Sequence, residues 1–114
     1  MATFSKVKLS ESTDGLPIKV VATATAGTTI HTAHASALDE VWLYAYNGHT
    51  ADVVLTLEYG GASVPDQNLI YTVTSKSGLM LVIPGLLLTN SKVLKAFAAT
   101  ANVITLSGFI NRIA

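Results

Sequence analysis

Three histidines are the residues of this chain that most directly suggest metal chemistry. His31 and His34 lie three positions apart in the segment TIHTAH, and His49 follows an Asn-Gly pair. A separation of three places side chains on one face of a helix, whereas in a strand it points them to opposite faces. A metal site also needs three or four converging ligands. Because the local pattern is that of a strand, we expect no metal site, and histidines that are solvated or lie in an interface.

Carboxylates and serines are the other residue types that could carry a reaction. A carboxylate pair can hydrolyse glycosides, and the candidates are Asp39, Glu40, Asp52, Glu58 and Asp66. Most of them begin or lie on predicted strands, where we expect solvated charges. The chain has no Gly-x-Ser-x-Gly elbow, and YGGASVP lacks the Lys-Ser/Thr of a phosphate-binding loop. We therefore predict no enzymatic activity and no cofactor. A small hydrolase is the weakest of the three functional hypotheses considered for this chain.

Aromatic residues alternate along the segment EVWLYAYN. Trp42, Tyr44 and Tyr46 share one face of the predicted strand, and smaller apolar residues occupy the other face. The aromatic face is either the core face or a contact surface, since aromatics are enriched in interface cores. Because both faces are apolar, we expect cover on both, the second from another subunit. A carbohydrate- or receptor-binding module that uses Trp42, Tyr44 and the loop at residues 60–68 is the alternative.

Period-two alternation extends over nearly the whole chain and is the signature of β-strands. It predicts strands at residues 18–26, 28–33, 40–47, 51–60, 69–74, 79–83, 92–99 and 102–113, with a further one at 4–10. Helix signals are confined to a turn or two at residues 33–40. Short strands at spacings of about ten residues indicate a sandwich or barrel. We predict an all-β, single-domain antiparallel β-sandwich, jelly-roll-like, with about eight short strands.

Asn47-Gly48 is the strongest turn signal in the sequence. Both central positions of a type I′ turn need φ > 0, which Asn and Gly tolerate. Since this pair lies between two alternating segments, it predicts a hairpin that joins residues 40–47 to residues 51–60.

Composition limits the kinds of partner. The chain has 114 residues, no Cys, seven basic and seven acidic residues, and a net charge of zero. Half of its residues are apolar and only 12% are charged, against about 25% in ordinary domains. The lysines are scattered rather than clustered, so we predict no direct nucleic-acid binding. Sparse charge also suggests that part of the surface is covered by partners.

The segment SGLMLVIPGLLLTN contains the longest apolar run, residues 79–88. It is shorter than the roughly 20 residues that a membrane-spanning helix requires, and Pro84-Gly85 interrupts it. We predict no membrane association and two short buried strands, residues 79–83 and 86–88, hinged at Pro-Gly. A strand that is apolar on both faces needs cover on both, which predicts assembly with another subunit.

The amino-terminal segment is predicted to differ from the rest of the chain. Its first residues, MATFSKVKLSESTDG, include two lysines but no apolar stretch after them, so we expect no secretory signal. Residues 1–27 are predicted to form a strand or arm that packs on the sandwich or on a neighbour, and residues 28–114 form its body.

Three segments resemble small virion proteins of tailed bacteriophages: DEVWLYAYNGHTADVVLTLEYGG, SGLMLVIPGLLLTN and KAFAATANVITLSGFINRI. The likeness is in the order of the segments and in their general residue pattern, and it extends from about Thr28 to Ile113. Over this range the chain is similar to capsid decoration or cement proteins and to minor head and neck components. The resemblance implies a β-sandwich or jelly roll that sits on the capsid lattice as an oligomer and strengthens it, and it supplies no active-site residues.

The predicted function is therefore a structural virion protein, most concretely a capsid decoration or cement subunit. Its expected partners are further copies of itself and the major capsid protein. Its expected location is the capsid surface of the virion, after synthesis in the host cytoplasm. A head-tail, neck or tail component would suit the same observations. The residues predicted to form the interface are Trp42, Tyr44, Tyr46, Leu79, Leu81, Leu86 and Leu88.

Overall fold

The computed structural model describes residues 2–114, which form β-strands and no helix. The strands are β1 (Phe4–Lys8), β2 (Ile18–Lys19), β3 (Thr28–Thr32), β4 (Leu38–Asn47), β5 (Val53–Tyr59), β6 (Asn68–Val73), β7 (Met80–Leu88), β8 (Val93–Ala98) and β9 (Ile104–Ile113). Two antiparallel sheets pack as a sandwich, so the predicted all-β fold is confirmed. The turn of helix predicted at residues 33–40 is absent, because its second half begins β4.

The strand order brings distant parts of the chain together. The larger sheet has the order β1-β9-β4-β7, with β2 also paired to β9, and the smaller sheet has the order β3-β8-β5-β6. Among the nine strands, β5 and β6 are the only consecutive pair hydrogen-bonded to each other, while β1 and β2 share a sheet but each pairs with β9. The chain passes from one sheet to the other at nearly every connection, which makes the sandwich jelly-roll-like.

The hairpin predicted at Asn47-Gly48 is wrong, since β4 belongs to the larger sheet and β5 to the smaller one. Asn47 is fully buried at this crossing. Its side-chain amide donates to the carbonyls of Ala51 and Val73, each at 2.9 Å, and its Oδ1 accepts from the amide of His49 at 2.8 Å. The Asn side chain therefore stabilises a corner between the sheets instead of a tight turn within one.

The amino-terminal region belongs largely to the larger sheet. β1 pairs antiparallel with β9 from Phe4 opposite Ile113 to Lys8 opposite Phe109, and β2 pairs with β9 further along. The strand predicted at residues 18–26 is reduced to two residues. The Val20 amide still donates to the carbonyl of Ile104 on β9, and beyond it the chain reaches β8, where the Ala98 amide donates to the Ala22 carbonyl.

The apolar run forms one strand, β7, rather than the two buried strands predicted. The register against β4 shifts between Val41 and Trp42 and again between Leu43 and Tyr44. Gly85, at the first shift, has the positive φ of 82° that is typical of a G1 bulge. Pro84 is tolerated because β7 lies at the edge of its sheet. Inside this run, only Val82, Ile83 and Leu88 are buried.

The core lies between the sheets and consists of aliphatic side chains. On β4, the residues Val41, Leu43 and Ala45 are fully buried, while the residues between them are only half-buried. Their partners across the core include Leu55 and Leu57 of β5. The aromatic face of β4 is therefore the outer face of the larger sheet.

Candidate functional site

A buried hydrogen bond links the two sheets. His31 on β3 and Asp39 on β4 are both 0% exposed, and His31 Nε2 lies 2.8 Å from Asp39 Oδ2. The predictions that the histidines are solvated or in an interface and that Asp39 is a solvated charge are therefore wrong for these two residues. Burial is possible because each polar atom has a partner.

Arg112 on β9 completes this cluster. Its Nε donates to Asp39 Oδ1 at 2.7 Å and its Nη2 donates to Oδ2 at 3.0 Å, a bidentate arrangement that is strong for this pair of groups. The backbone amide of His34 donates to Oδ2 at 3.2 Å. Burial raises the pKa of the Asp39 carboxyl, but the hydrogen bonds from Arg112, His31 and His34 outweigh it and lower the pKa from 3.8 to about 2.

Ser10, His31 and Asp39 bring together the residue types of a hydrolytic triad. The backbone amide of Ser10 donates to His31 Nδ1 at 3.0 Å, so the ring proton resides on Nε2 and is donated to Asp39. The Ser10 hydroxyl instead accepts from the amide of Thr32 at 2.8 Å. Since the Nδ1 lone pair is already used, the imidazole in this arrangement cannot take a proton from Ser10 Oγ. The geometry joins strands and does not activate a nucleophile.

Glu58 is a second buried carboxylate, although we expected a solvated one. It lies on β5, is 2% exposed, and accepts from the Gly27 amide at 2.7 Å and from the Thr25 hydroxyl at 2.8 Å. A Cβ at Gly27 would lie 2.7 Å from the backbone of Ala96. Glu58 therefore holds the segment before β3 closely against β8.

The outer face of the larger sheet carries a row of stacked groups across four strands. The rings of Trp42 and Phe109 are stacked, with centroids 6.1 Å apart and an interplanar angle of 12°. The Lys6 ammonium lies 4.5 Å from the Phe109 centroid, from the side opposite to Trp42. A Cβ at Gly85 would lie 2.9 Å from the indole. These contacts cover much of both rings.

Glu40 and Asn111 lie beside this row. Glu40 Oε1 accepts from Trp42 Nε1 at 2.6 Å and from Asn111 Nδ2 at 3.0 Å, and these bonds hold the pKa of the Glu40 carboxyl below its ordinary value. Sequence reasoning singled out Trp42 but missed Phe109, Asn111 and Lys6. The alternation in NVITLSGFINRI places Phe109 and Asn111 on one strand face, but only the pairing of β9 with β4 brings that face next to Trp42.

Exposed leucines lie on β7 and immediately before it, at the edge of the larger sheet opposite to β1. We call Leu79, Leu81, Leu86 and Leu87 the leucine edge; their exposed fractions are 65%, 43%, 42% and 53%. Leu88 was predicted to lie with them, but it is 6% exposed and belongs to the core of its own subunit. Tyr44, half-buried, pairs with Leu81 across the sheet. Tyr46 is also half-buried and on the same outer face.

The residues that the sequence suggested as a carbohydrate site do not form one site in the fold. The loop at residues 60–68 joins β5 to β6 in the smaller sheet, whereas Trp42 and Tyr44 lie on the outer face of the larger one. The loop is also closed by an internal bond, since the backbone amide of Gln67 donates to the Ser63 carbonyl at 2.8 Å.

Among residues 2–114, no group of three or more His, Asp or Glu side chains is placed to bind a metal ion. The same residues include no helix long and apolar enough to cross a membrane.

Comparison with known proteins returns no match to a family model, to a curated protein or to a solved structure.

Proposed function

We propose that this protein is a structural subunit of a viral particle, most concretely a capsid decoration or cement subunit. It binds the head lattice as a homo-oligomer and stabilises that lattice by adding contact area between capsid subunits. Its partners are further copies of the chain and the major capsid protein, and it acts at the capsid surface after synthesis in the host cytoplasm.

The observation that carries this proposal is the leucine edge. β7 pairs with β4 on one side only, so its other side presents backbone groups for pairing, and four exposed leucines accompany it. An apolar edge strand of this kind promotes association, and proteins usually protect it with charges or cover it. Pro84 and the bulge at Gly85 interrupt the middle of this edge, but no Lys, Arg, Asp or Glu lies within β7. We infer that the leucines on either side of the bulge are covered by another protein chain.

The fold and the composition support the same proposal. Jelly-roll sandwiches are common in viral capsid proteins and also in lectins, although a fold alone does not determine function. Apolar burial stabilises by about 25 cal/mol per Å². A contact repeated over a shell therefore strengthens the whole particle even where association entropy weakens each single contact. The resemblance of three segments to phage virion proteins points in the same direction.

The test is binding of the purified chain to purified phage heads, combined with its oligomeric state from light scattering. We expect a homo-oligomer that co-sediments with expanded heads. The double variant Leu81→Ser/Leu87→Ser should lose both properties. The matched control is Ile70→Ser, which changes a 63% exposed residue on the edge strand of the other sheet and should leave both properties intact. A monomer without affinity for heads would contradict the proposal, and binding to necks or tails alone would favour a head-tail, neck or tail component.

A further inference from the structure

A shallow depression lies near β1, at the edge of the larger sheet opposite to the leucine edge. Its volume is about 290 Å³, and its lining includes Phe4, Lys6, Glu40, Asn111, Arg112 and Ile113. These side chains come from β1, β9 and β4. Ligand pockets occupy roughly 300–1,000 Å³, so the depression has room for one ring-sized ligand rather than for an extended chain.

The polar groups at this depression are held in place by contacts of their own. Glu40 Oε1 is fixed by Trp42 and Asn111, and the Lys6 ammonium lies against the Phe109 ring. The bond from Asn111 Nδ2 to Glu40 assigns the amide orientation and leaves Asn111 Oδ1 as an acceptor. Glu40 Oε2 makes no hydrogen bond within residues 2–114. Groups that are already ordered bind a ligand at a lower entropic cost.

The charges select the chemistry of the ligand. Lys6 and Glu40 contribute one cation and one anion, while the charge of Arg112 is already matched by Asp39 at 2.7 Å. An anionic ligand would meet the Glu40 carboxylate, and a cationic one would meet the Lys6 ammonium. A hydroxyl group, which both donates and accepts, satisfies Glu40 and Lys6 together. A neutral ligand with several hydroxyls is therefore favoured over either kind of ion.

The apolar residues select a ring that also has a hydrophobic side. Phe4 is 74% exposed and pairs with Ile113, so these two form an apolar side of the depression next to the row of Lys6, Asn111 and Glu40. A pyranose presents hydroxyls at its rim and carbon–hydrogen bonds on its faces, so it suits a site with few polar groups and an apolar wall. We propose that the depression binds a single neutral pyranose, such as a terminal sugar of a glycan, with Glu40, Asn111 and Lys6 as its polar contacts.

This site differs from the carbohydrate site expected from the sequence. The faces of Trp42 and Phe109 are engaged by each other, by Gly85 and by Lys6, so Trp42 positions Glu40 instead of stacking on the sugar. The leucine edge lies on β7, at the opposite edge of the sheet from β1. A sugar and a neighbouring subunit can therefore bind together, and the inference does not depend on the proposed virion role.

The test is a titration of ¹⁵N-labelled protein with methyl glucoside, methyl galactoside, methyl mannoside and N-acetylglucosamine, followed by NMR, beside a glycan array that presents terminal neutral sugars. We expect saturable shifts of the Asn111 side-chain amide and of Trp42 Nε1–H. Glu40→Gln and Asn111→Leu should each weaken binding at least about tenfold, as the loss of a hydrogen bond to a ligand implies. Glu11→Gln, an exposed carboxylate between β1 and β2, is the matched control and should bind as the parent does.

Any one of three results would overturn the proposal. The first is no saturable shift and no array signal with any neutral sugar, and the second is unchanged binding in the folded Glu40→Gln and Asn111→Leu variants. The third is the same shifts with sodium acetate, which would identify an anion site. Head binding and oligomeric state are measured on the same samples. Failure of the sugar site is therefore distinguishable from failure of the virion role.

Discussion

His31 of the smaller sheet donates its Nε2 proton to Asp39 of the larger sheet across 2.8 Å, and neither side chain is more than 1% exposed. Through Arg112 the same carboxylate also contacts β9. One buried carboxylate thus connects β3, β4 and β9, at a point where aliphatic packing alone would not fix how the sheets align. We infer that this cluster specifies the alignment of the sandwich.

Asp39→Ala is expected to destabilise the protein by about 3–5 kcal/mol, because it leaves the Arg112 and His31 donors without their acceptor in a buried site. Urea denaturation followed by circular dichroism measures the change in the free energy of unfolding. Asp52→Ala is the control: Asp52 is exposed and accepts one bond, from the Ser75 amide, so its replacement should cost far less. Equal costs for the two variants would contradict the role assigned to Asp39.

Stability should also depend on pH through Asp39. Its pKa in the folded protein, about 2, lies below the ordinary value of 3.8. A lowered pKa means that this stabilisation is complete above the unfolded-state pKa and is lost as the pH falls through the folded-state pKa. Between pH 5 and pH 2 we expect Asp39 to account for a loss of about 2 kcal/mol. Asp39→Asn should have a shallower dependence over this range, and an unchanged slope would contradict the assignment.

The sequence predicted the β-class and most strands because alternation is a local property that burial reinforces. The segments at β4, β5 and β9 alternate over seven to ten residues, and each became a strand. The faces of β4 were harder to assign. Val41 and Trp42 are both apolar, and only the packing of the second sheet determines which of them is buried.

Long-range partners explain the remaining errors. Asn47-Gly48 is a good local hairpin signal, but Asn47 is bound to Val73, 26 positions away, so tertiary hydrogen bonds replaced the turn. Asp39 and Arg112 are 73 positions apart, and no spacing rule pairs residues at such a distance. The Asp39–Arg112 ion pair and the Glu40–Asn111 hydrogen bond both require β9 to lie next to β4. Alternation alone does not reveal this strand order.

Glu58→Ala should free the segment that precedes β3. The Gly27 amide loses its acceptor at 2.7 Å and the Thr25 hydroxyl loses its own at 2.8 Å. A hydrogen bond to a charged group contributes about 1.5–3 kcal/mol, so exchange of the Gly27 amide should accelerate roughly tenfold to a hundredfold. Hydrogen exchange followed by NMR measures this rate. Asp52→Ala serves as the comparison, since it should accelerate the Ser75 amide and leave Gly27 unaffected.

Gly85→Ala should disturb the aromatic row, and Gly78→Ala separates this effect from backbone strain. Both glycines have positive φ, 82° and 87°, but an added Cβ meets nothing within 4 Å at Gly78 and lies 2.9 Å from the Trp42 indole at Gly85. Strain at positive φ is thus common to both variants, while overpacking against the indole costs a further 1–3 kcal/mol, roughly, only at Gly85. Trp42 is the single tryptophan of the chain, so its fluorescence should change in Gly85→Ala and not in Gly78→Ala. In a Trp42→Ala background the two glycine variants should become equally stable, because the clashing ring is gone; a persistent difference would mean that Gly85 is required by its backbone alone.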